Sequence, residues 1–349
     1  MKHFLIISYL LALCMISCQY KSDKQPPTQP LLPKGSHLMG TTPVKNQGRS
    51  ELCWLYGMLS TIESEHIMRG DSVNLSSAYI VRMMLCEKAT NYYLAQGKGT
   101  INMRGTMPLL LYYMGKYGMV PYDSYEDPKD IDYKVLCRKV ELVCRGAIAQ
   151  QTGIAELQAR VNQLLDQEMG YLPAKTVYML GAEYTPSEFA NSVCYPDEYA
   201  VFTSFTHHPF GKPMVLEVPD NQHQDTFYNI PLRQMMSIID RAIRNGHPVC
   251  WEGDISEPSF MHPDQGYVDV APQEKPVTQA SRQRAFERLQ TTDDHVMSIV
   301  GTCTHQGQPY YICRNSWGKE WGLGGYICLS KDYVQLKTIA LAVSKEALK

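Results

Sequence analysis

Apolar residues recur every three or four positions in several stretches of the chain, and this spacing predicts amphipathic helices. The first stretch begins at Cys53 and continues through Leu55, Met58, Leu59 and Ile62. The same periodicity predicts helices over 53–68, 76–88, 106–118, 154–168 and 232–244. Beyond position 247, short apolar runs end in glycine-bounded turns, which is typical of strands. The pattern therefore predicts an α+β chain with a helical first part and a β-rich C-terminal part.

The N-terminus has a different pattern, in which a lysine precedes the apolar stretch Phe4–Ile16. A positive start, an apolar centre and a small residue at the end predict a secretory signal peptide over 1–17. The end of this segment resembles a bacterial lipobox, so Cys18 is predicted to carry a lipid anchor. Residues 18–42 are polar and rich in proline and are predicted to form a tether. We therefore expect a protein lipid-anchored in the cell envelope, on the periplasmic side or the cell surface, with a soluble secreted or periplasmic protein as the alternative.

The composition indicates which partners and cofactors the protein is not expected to use, and nucleic acid and metals are among them. The 349 residues are 44% hydrophobic and 19% charged, which supports a large core and excludes disorder for most of the chain. Lys and Arg number 33 and Asp and Glu number 35, giving a net charge of −2. This near-balance argues against nucleic acid as a partner. Because the sequence contains no Cys-x-x-Cys pair, we predict neither a metal site nor a cofactor.

The junction between a glycine-containing loop and the first predicted helix is a candidate for chemistry. Gly48 permits a tight turn, and Cys53 opens the helix. The positive end of a helix dipole lowers the pKa of a thiol, so Cys53 is expected to be a thiolate nucleophile. Gln47 is expected to donate into an oxyanion hole together with the backbone N–H of Cys53.

A nucleophilic thiol needs a base, and His295 has a suitable position in the sequence. His295 heads a strand-like apolar run, and Asn315 follows a second run of that kind. Two adjacent strands would bring the imidazole beside the Asn315 amide, which would then orient the ring. Trp317 is expected to shield that hydrogen bond from water, and Trp54 is predicted to help enclose the site.

Three sequence blocks resemble the papain superfamily of cysteine peptidases: Gln47 with Cys53-Trp54, then Asp294-His295, and then Asn315–Tyr326. The resemblance implies a two-lobed fold, with Cys53 on a helical lobe and His295 and Asn315 on a β-rich lobe. It also implies peptide-bond hydrolysis by a Cys-His-Asn triad acting on peptide substrates.

The spacing of the blocks distinguishes branches of that superfamily. His295 follows Cys53 by about 240 residues, whereas about 130–150 residues are typical of papain-type enzymes. The insertion, and the short segment before the nucleophile, resemble the bleomycin hydrolase branch of cysteine aminopeptidases. Further stretches that resemble this branch are Lys116–Pro121, Tyr184–Phe189, His208–Phe210 and Asn245–Trp251. The predicted peptidase domain spans 43–349, with a helical lobe at about 43–145, a helical insertion at about 146–245 and a β-rich lobe at about 246–349.

Two departures from the branch leave alternatives open. Asp293 and Asp294 precede His295, and a nearby carboxylate is expected to raise the pKa of the imidazole. The chain ends at Lys349, whereas the branch has a longer tail whose carboxylate binds the substrate amine. An aminopeptidase is therefore favoured over a cysteine endopeptidase, and a lipid-anchored peptide-binding protein on a degenerate peptidase fold is the third alternative. A homo-oligomer is likewise left open.

The remaining cysteines are interpreted as mostly structural thiols. Apart from Cys14, Cys18 and Cys53, they are Cys86, Cys137, Cys144, Cys194, Cys250, Cys303, Cys313 and Cys328. A disulfide between Cys137 and Cys144 is left open. The polar stretch 271–290 is expected to be an exposed excursion.

Overall fold

The computed structural model describes residues 32–33, 35–173, 175–179 and 181–349. The predicted signal peptide over 1–17 and the predicted lipid attachment at Cys18 lie outside the described residues. None of the helices within these ranges is both long and apolar enough to cross a membrane. The boundaries of the tether, the lobes and the insertion stay predictions.

Helices form wherever the apolar periodicity predicts them, although some of their ends differ. The helices are α1 (Cys53–Met68), α2 (Ser77–Leu94), α3 (Pro108–Tyr117), α4 (Tyr133–Gln150), α5 (Ile154–Met169), α6 (Pro186–Val193), α7 (Leu232–Arg244), α8 (Gln279–Glu287) and α9 (Lys331–Lys337). Single 3₁₀ turns occur at Tyr122–Ser124, Pro258–Met261, Pro263–Gln265, Pro272–Glu274 and Lys345–Leu348.

The strands build one large mixed sheet and one separate hairpin. They are β1 (His37–Leu38), β2 (Val177–Met179), β3 (Ala182–Tyr184), β4 (Tyr199–Thr203), β5 (Lys212–Val215), β6 (Thr226–Asn229), β7 (Val249–Gly253), β8 (Tyr267–Val268), β9 (His295–His305), β10 (Gln308–Arg314), β11 (Tyr326–Ser330) and β12 (Thr338–Ser344). The large sheet has the order β5-β6-β4-β12-β7-β9-β10-β11-β8, and β1 pairs with β9. The hairpin consists of β2 and β3.

Helices cover both faces of the large sheet. Side chains alternate between the two faces along a strand. Cys250 and Val296 therefore belong to the core shared with α1, whereas Trp251 and Met297 belong to the core shared with α7. The architecture agrees with the predicted α+β class. The predicted helical insertion contributes more than helices, because β4, β5 and β6 also extend the sheet.

Helix α1 passes unusually close to the sheet at one glycine. A Cβ added at Gly57 would lie 2.7 Å from Cγ1 of Val296 and 3.2 Å from its backbone, so only glycine permits this approach. The close packing fixes the N-terminal end of α1 against the beginning of β9. It thereby brings Cys53 next to the strand that starts with His295.

Two expectations about the rest of the chain can be compared with the structure. Most of the stretch 271–290 is exposed or half-buried, as expected, but it contains α8, whose Arg282 is fully buried and donates hydrogen bonds to the carbonyls of Ser204 and Leu336. The disulfide that was left open between Cys137 and Cys144 is not formed. Cys137 and Cys144 are both free thiols on α4. Seven residues of helix separate them by a rise of about 10 Å, beyond the reach of a disulfide.

Candidate active site

Cys53 is the first residue of α1 and retains 9% of its surface exposed. The preceding residue, Leu52, makes no side-chain cap to the helix. The first N–H groups of α1 therefore receive no side-chain acceptor from the capping position. The thiol interacts with the backbone N–H of Val296, the residue directly after His295. The nucleophile predicted from sequence thus lies against the start of β9.

A hydrogen bond joins His295 to Asn315, because β9 and β10 are antiparallel neighbours. Nε2 of His295 lies 2.7 Å from Oδ1 of Asn315. Oδ1 also accepts the N–H of Ser316 at 2.7 Å, which fixes the amide's orientation because a backbone N–H can only donate. Nε2 is therefore the protonated nitrogen, and the lone pair lies on Nδ1 in the neutral ring.

The two tryptophans predicted to enclose the site have different positions. The Trp317 ring lies 4.6 Å from the His295 ring, centroid to centroid, and Trp321 packs against it at 5.0 Å and 90°. Trp54 is fully buried and donates from Nε1 to the carbonyl of Met103 at 2.8 Å. Trp317 therefore contacts the imidazole, while Trp54, next to Cys53 in sequence, packs in the core.

Gln47 is held beside the residue that follows Asn315. Its backbone N–H donates to the carbonyl of Ser316 at 2.8 Å, and its Oε1 accepts from the Ser316 hydroxyl at 2.6 Å. Nε2 donates to the carbonyl of Ser50 at 2.9 Å. A primary amide nitrogen has two hydrogens, so one remains for a second acceptor.

The electrostatics of the site differ from the expectations drawn from the sequence. Burial, followed by the nearby carboxyls of Asp293 and Glu252, raises the pKa of Cys53 to about 12. Burial lowers the pKa of His295 to about 4. Both expected directions are therefore wrong. Asp294 is exposed, and its carboxylate instead accepts hydrogen bonds from Thr292 and from the backbone of Ile255.

The comparison with known proteins identifies the domain. Residues 217–346 match the family described as "Papain family cysteine protease", and this segment includes His295, Asn315 and Trp317. The chain carries a papain-family cysteine peptidase domain.

Several known proteins are similar to this chain over most of its length. Cysteine proteinase 1, mitochondrial, from Saccharomyces cerevisiae is 23% identical over 365 residues, which cover 84% of this chain and 73% of that protein. Aminopeptidase W from Lactobacillus delbrueckii subsp. lactis is 23% identical, over 88% of this chain and 82% of that protein. The crystal structure of PepW from Lactobacillus rhamnosis superposes with a TM-score of 0.68 at 16% identity, covering 91% of this chain and 84% of that one. The predicted papain-like fold is thereby confirmed, as is a cysteine peptidase resembling the bleomycin hydrolase and aminopeptidase branch.

A buried ionic network, missed from the sequence, fastens the segment before Gln47 to the rest of the peptidase. Glu63 accepts hydrogen bonds from Lys45 Nζ at 2.6 Å, Thr42 Oγ1 at 2.5 Å and the N–H of Leu75 at 2.9 Å. Arg314, the residue before Asn315, has its Nη1 3.8 Å from the same carboxylate. The only signal in the sequence is the presence of two acidic residues, Glu63 and Glu65, in a helix that begins with an apolar stretch.

Glu252 is a further buried acid whose position was not predicted from the sequence. It interrupts the apolar run of β7, and only 1% of its surface is exposed. Burial, followed by the neighbouring carboxyl of Asp293, raises its pKa. Since Glu252 also raises the pKa of Cys53, it belongs to the surroundings of that thiol.

One group of side chains in the described residues is close enough to hold a metal ion: His207, His208 and Glu217. Its hydrogen bonds argue against that use. Gln283 accepts the N–H of Thr206 through Oε1 at 2.7 Å, so its Nε2 donates to Nδ1 of His207 at 2.9 Å. The proton of His207 is then on Nε2, which donates it to Glu217. The nitrogen that a metal would need is already used.

Proposed function

We propose that this peptidase hydrolyses peptide bonds with Cys53 as nucleophile, His295 as general base and acid, and Asn315 as the residue that orients the imidazole. The observation that carries the proposal is the 2.7 Å hydrogen bond between Nε2 of His295 and Oδ1 of Asn315. It leaves Nδ1 as the basic nitrogen on the strand against which the Cys53 thiol packs.

The reaction begins with transfer of the thiol proton to Nδ1 of His295. The sulfur of Cys53 attacks the peptide carbonyl and forms a C–S bond, while the carbonyl electrons move to oxygen. The N–H of Cys53 and the remaining Nε2 hydrogen of Gln47 stabilise this oxyanion. The oxyanion then collapses, the C–N bond breaks, and the imidazolium donates its proton to the leaving amine, which leaves a thioester. The neutral imidazole activates a water that attacks the thioester, the C–S bond breaks, and the Cys53 thiol is restored.

The direction of both pKa shifts indicates that the two charges form together. Burial disfavours an isolated thiolate at Cys53 and an isolated imidazolium at His295. A proton transfer between them creates both charges at once, and their mutual attraction in a poorly hydrated site offsets part of the desolvation cost.

An aminopeptidase is the favoured type of activity, because Aminopeptidase W is among the relatives that match most of the chain. An aminopeptidase needs an anion for the substrate's N-terminal ammonium. Ser344, the last residue of β12, does not lie beside Cys53, because it accepts a hydrogen bond from Arg69 at the C-terminal end of α1, about 20 Å from Cys53 at 1.5 Å per residue.

The experiment compares the wild-type peptidase with Cys53→Ala, using Cys86→Ala as a matched control at another partly buried thiol. Each protein is assayed with an aminoacyl fluorogenic amide and with its N-acetylated counterpart. We expect wild type and Cys86→Ala to cleave the free-amine substrate, and Cys53→Ala to lose at least about 10⁴-fold.

Cleavage of the acetylated substrate at a similar rate would favour the endopeptidase alternative. Activity retained by Cys53→Ala would overturn the assignment of the nucleophile. If wild type cleaves neither substrate and its Cys53 resists alkylation by a peptidyl thiol reagent, the peptide-binding alternative is favoured.

We further propose that lipid on Cys18 anchors the peptidase in the cell envelope, on the periplasmic side or the cell surface, after removal of 1–17. The support is the apolar N-terminal stretch that ends at this cysteine. A detergent phase partition of wild type and Cys18→Ser tests the anchor. We expect wild type in the detergent phase and the variant in the aqueous phase, and an aqueous wild type would contradict the proposal.

A further inference from the structure

The segment Gln290–Asp294 leads directly into His295 and lies between the end of α8 and the start of β9. Strand pairing holds the imidazole's backbone on one side only. Gly253 of β7 lies opposite His295, whereas the registered pairs between β9 and β10 end at Ser298. The ends of an element open more easily than its centre. The position of the imidazole therefore depends on the contacts that hold this segment.

Asp254, which directly follows β7, binds the middle of the segment. Its side chain is almost fully buried, with 1% of its surface exposed. Oδ2 accepts the N–H of Thr292 at 2.9 Å, and Oδ1 accepts the N–H of Ser256 at 2.8 Å. Both partners are backbone donors, so both carboxylate oxygens are needed as acceptors. The segment is thus attached to the end of β7 by a side chain.

Lys337, the last residue of α9, binds the beginning of the same segment. Its Nζ donates to the carbonyl of Gln290 at 2.8 Å and lies 2.6 Å from Oε1 of Glu257. It also lies 3.8 Å from Oδ2 of Asp254. A lysine is seldom as buried as this one, which is 2% exposed, unless its charge is paired. The surrounding oxygens therefore fix the ammonium, and the ammonium fixes the segment.

The contacts continue to the residue directly before His295. Thr292 Oγ1 donates to Oδ1 of Asp294 at 2.8 Å, and Oδ2 of Asp294 accepts the N–H of Ile255 at 3.3 Å. The segment is therefore attached at its beginning, its middle and its end to the residues that follow β7 and to the end of α9.

We propose that Asp254 and Lys337 are positioning residues for the imidazole of His295. They hold the segment Gln290–Asp294, which determines where Nδ1 of that ring meets the Cys53 thiol. The proposal rests on the proposed peptidase activity and adds two residues that act through the backbone rather than on the reacting atoms. Displacing a reacting group by about 1 Å lowers the rate about 100-fold, so distant contacts of this kind affect catalysis.

Two substitutions remove these contacts with little change in side-chain size. Asp254→Asn replaces one acceptor oxygen by an amide donor that faces a backbone N–H. Lys337→Met removes the ammonium and leaves the oxygens that it bonded without their donor. The matched control is Lys331→Met at the first residue of α9, because the Lys331 ammonium also lies 2.6 Å from a carboxylate, that of Asp240.

Kinetics are measured with the fluorogenic peptide substrate at a temperature where thermal unfolding shows each variant to be folded. We expect both site variants to lose about 30- to 100-fold in kcat with less than about 3-fold change in KM, because substrate binding is kept while the imidazole is displaced. The control should stay within about 2-fold of wild type in both constants. An unchanged kcat in the site variants, or an equal loss in the control, would overturn the proposal.

The pH dependence of Cys53 alkylation by iodoacetamide distinguishes positioning from a general loss of stability. Alkylation is followed by mass spectrometry of the peptide that contains Cys53. A displaced imidazole accepts the thiol proton less readily, so the midpoint should rise by about one pH unit or more in both site variants.

The charge changes of the two site variants provide an internal control for that measurement. Asp254→Asn removes a negative charge and Lys337→Met removes a positive one, so a purely electrostatic effect would move the two midpoints in opposite directions. A rise in both supports positioning. Midpoints that move apart, or that stay at the wild-type value, would overturn it.

A milder pair of variants decides the question if neither site variant folds. Thr292→Val removes the hydroxyl that bonds Asp294 and preserves the shape of the side chain, whereas Thr292→Ser keeps the hydroxyl. We expect Thr292→Val to lower kcat about 3- to 10-fold and Thr292→Ser to retain the wild-type rate. Equal rates for the two would then overturn the proposal.

The alkylation measurement requires no turnover and therefore separates this inference from the proposed activity. If wild type cleaves no peptide while the midpoint rises in both site variants, the positioning role stands and the proposed function fails. If wild type cleaves peptides and the site variants keep its kcat and its midpoint, the positioning role fails and the proposed function stands.

Discussion

Replacing Arg314 by Met tests whether the buried ionic network holds the two segments of the site together. Arg314 ends β10 directly before Asn315, and its side chain is 2% exposed. It donates to Ser60 Oγ at 2.6 Å, Thr42 Oγ1 at 3.0 Å and the carbonyl of Pro43 at 2.7 Å. Met preserves much of the length of the side chain and removes every donor.

The expected loss follows from what the substitution leaves behind. Removing one partner from a buried charge pair costs about 3–5 kcal/mol, because the other charge stays buried. Here Lys45 still neutralises Glu63 at 2.6 Å, so the lower end of that range applies, about 3 kcal/mol. The freed carbonyl of Pro43 also lies four residues before Gln47, so the predicted oxyanion donor loses part of its support.

Equilibrium urea unfolding, followed by tryptophan fluorescence, measures the change in the free energy of unfolding. The matched control is Arg288→Met, an exposed arginine directly after α8, which should change stability by less than about 0.5 kcal/mol. In the double variant Arg314→Met/Glu63→Gln, the two losses should fall short of additivity by about 1–3 kcal/mol. A loss below about 1 kcal/mol for Arg314→Met, or strict additivity in the double variant, would refute the argument from uncompensated charge.

Three further predictions concern the site itself. Asn315→Ala should lower kcat/KM about 100-fold without abolishing alkylation of Cys53, because the imidazole loses its orienting acceptor; an unchanged rate would exclude that role. Gln47→Ala should lower kcat about 100- to 1000-fold with little change in KM, and a change in KM alone would contradict an oxyanion role. The pKa of His295 is lowered to about 4 in the folded protein, so between pH 6.5 and 4 the imidazole binds a proton more tightly in the unfolded chain than in the folded one. The folded protein is therefore destabilised by His295 as the pH falls through this interval. His295→Gln should therefore reduce the loss of stability in that interval by up to about 3 kcal/mol, and identical pH profiles would disprove the shift.

Patterns within short stretches of sequence correctly predicted two parts of the site, the start of α1 at Cys53 and the contact between His295 and Asn315. Helix α1 begins at Cys53 as predicted, because the apolar periodicity starts there and the preceding loop contains Gly48. The His295–Asn315 contact could be predicted because each residue adjoins a strand and the two strands are consecutive. Each of these inferences needed only one segment or one pair of neighbouring segments.

The features that could not be predicted from the sequence depend on contacts between segments that are far apart in the chain. Nothing near Arg282 in sequence indicates that its guanidinium lies over the Phe205 ring, 4.7 Å from the centroid. The strands β4, β5 and β6 are short, and β4 is placed in the sheet by β12, far along the chain.

The charge state of Cys53 shows why a correct local argument gave the wrong direction. A helix N-terminus stabilises an anion by about 0.3–1 kcal/mol at the surface and by up to about 2 kcal/mol when partly buried. A thiol pKa raised from its ordinary value to about 12 corresponds to about 4 kcal/mol against the thiolate, at 1.4 kcal/mol per unit. Burial therefore outweighs the dipole, with Asp293 and Glu252 adding to it. The thiolate of this peptidase must then depend on proton transfer to His295 rather than on the helix alone.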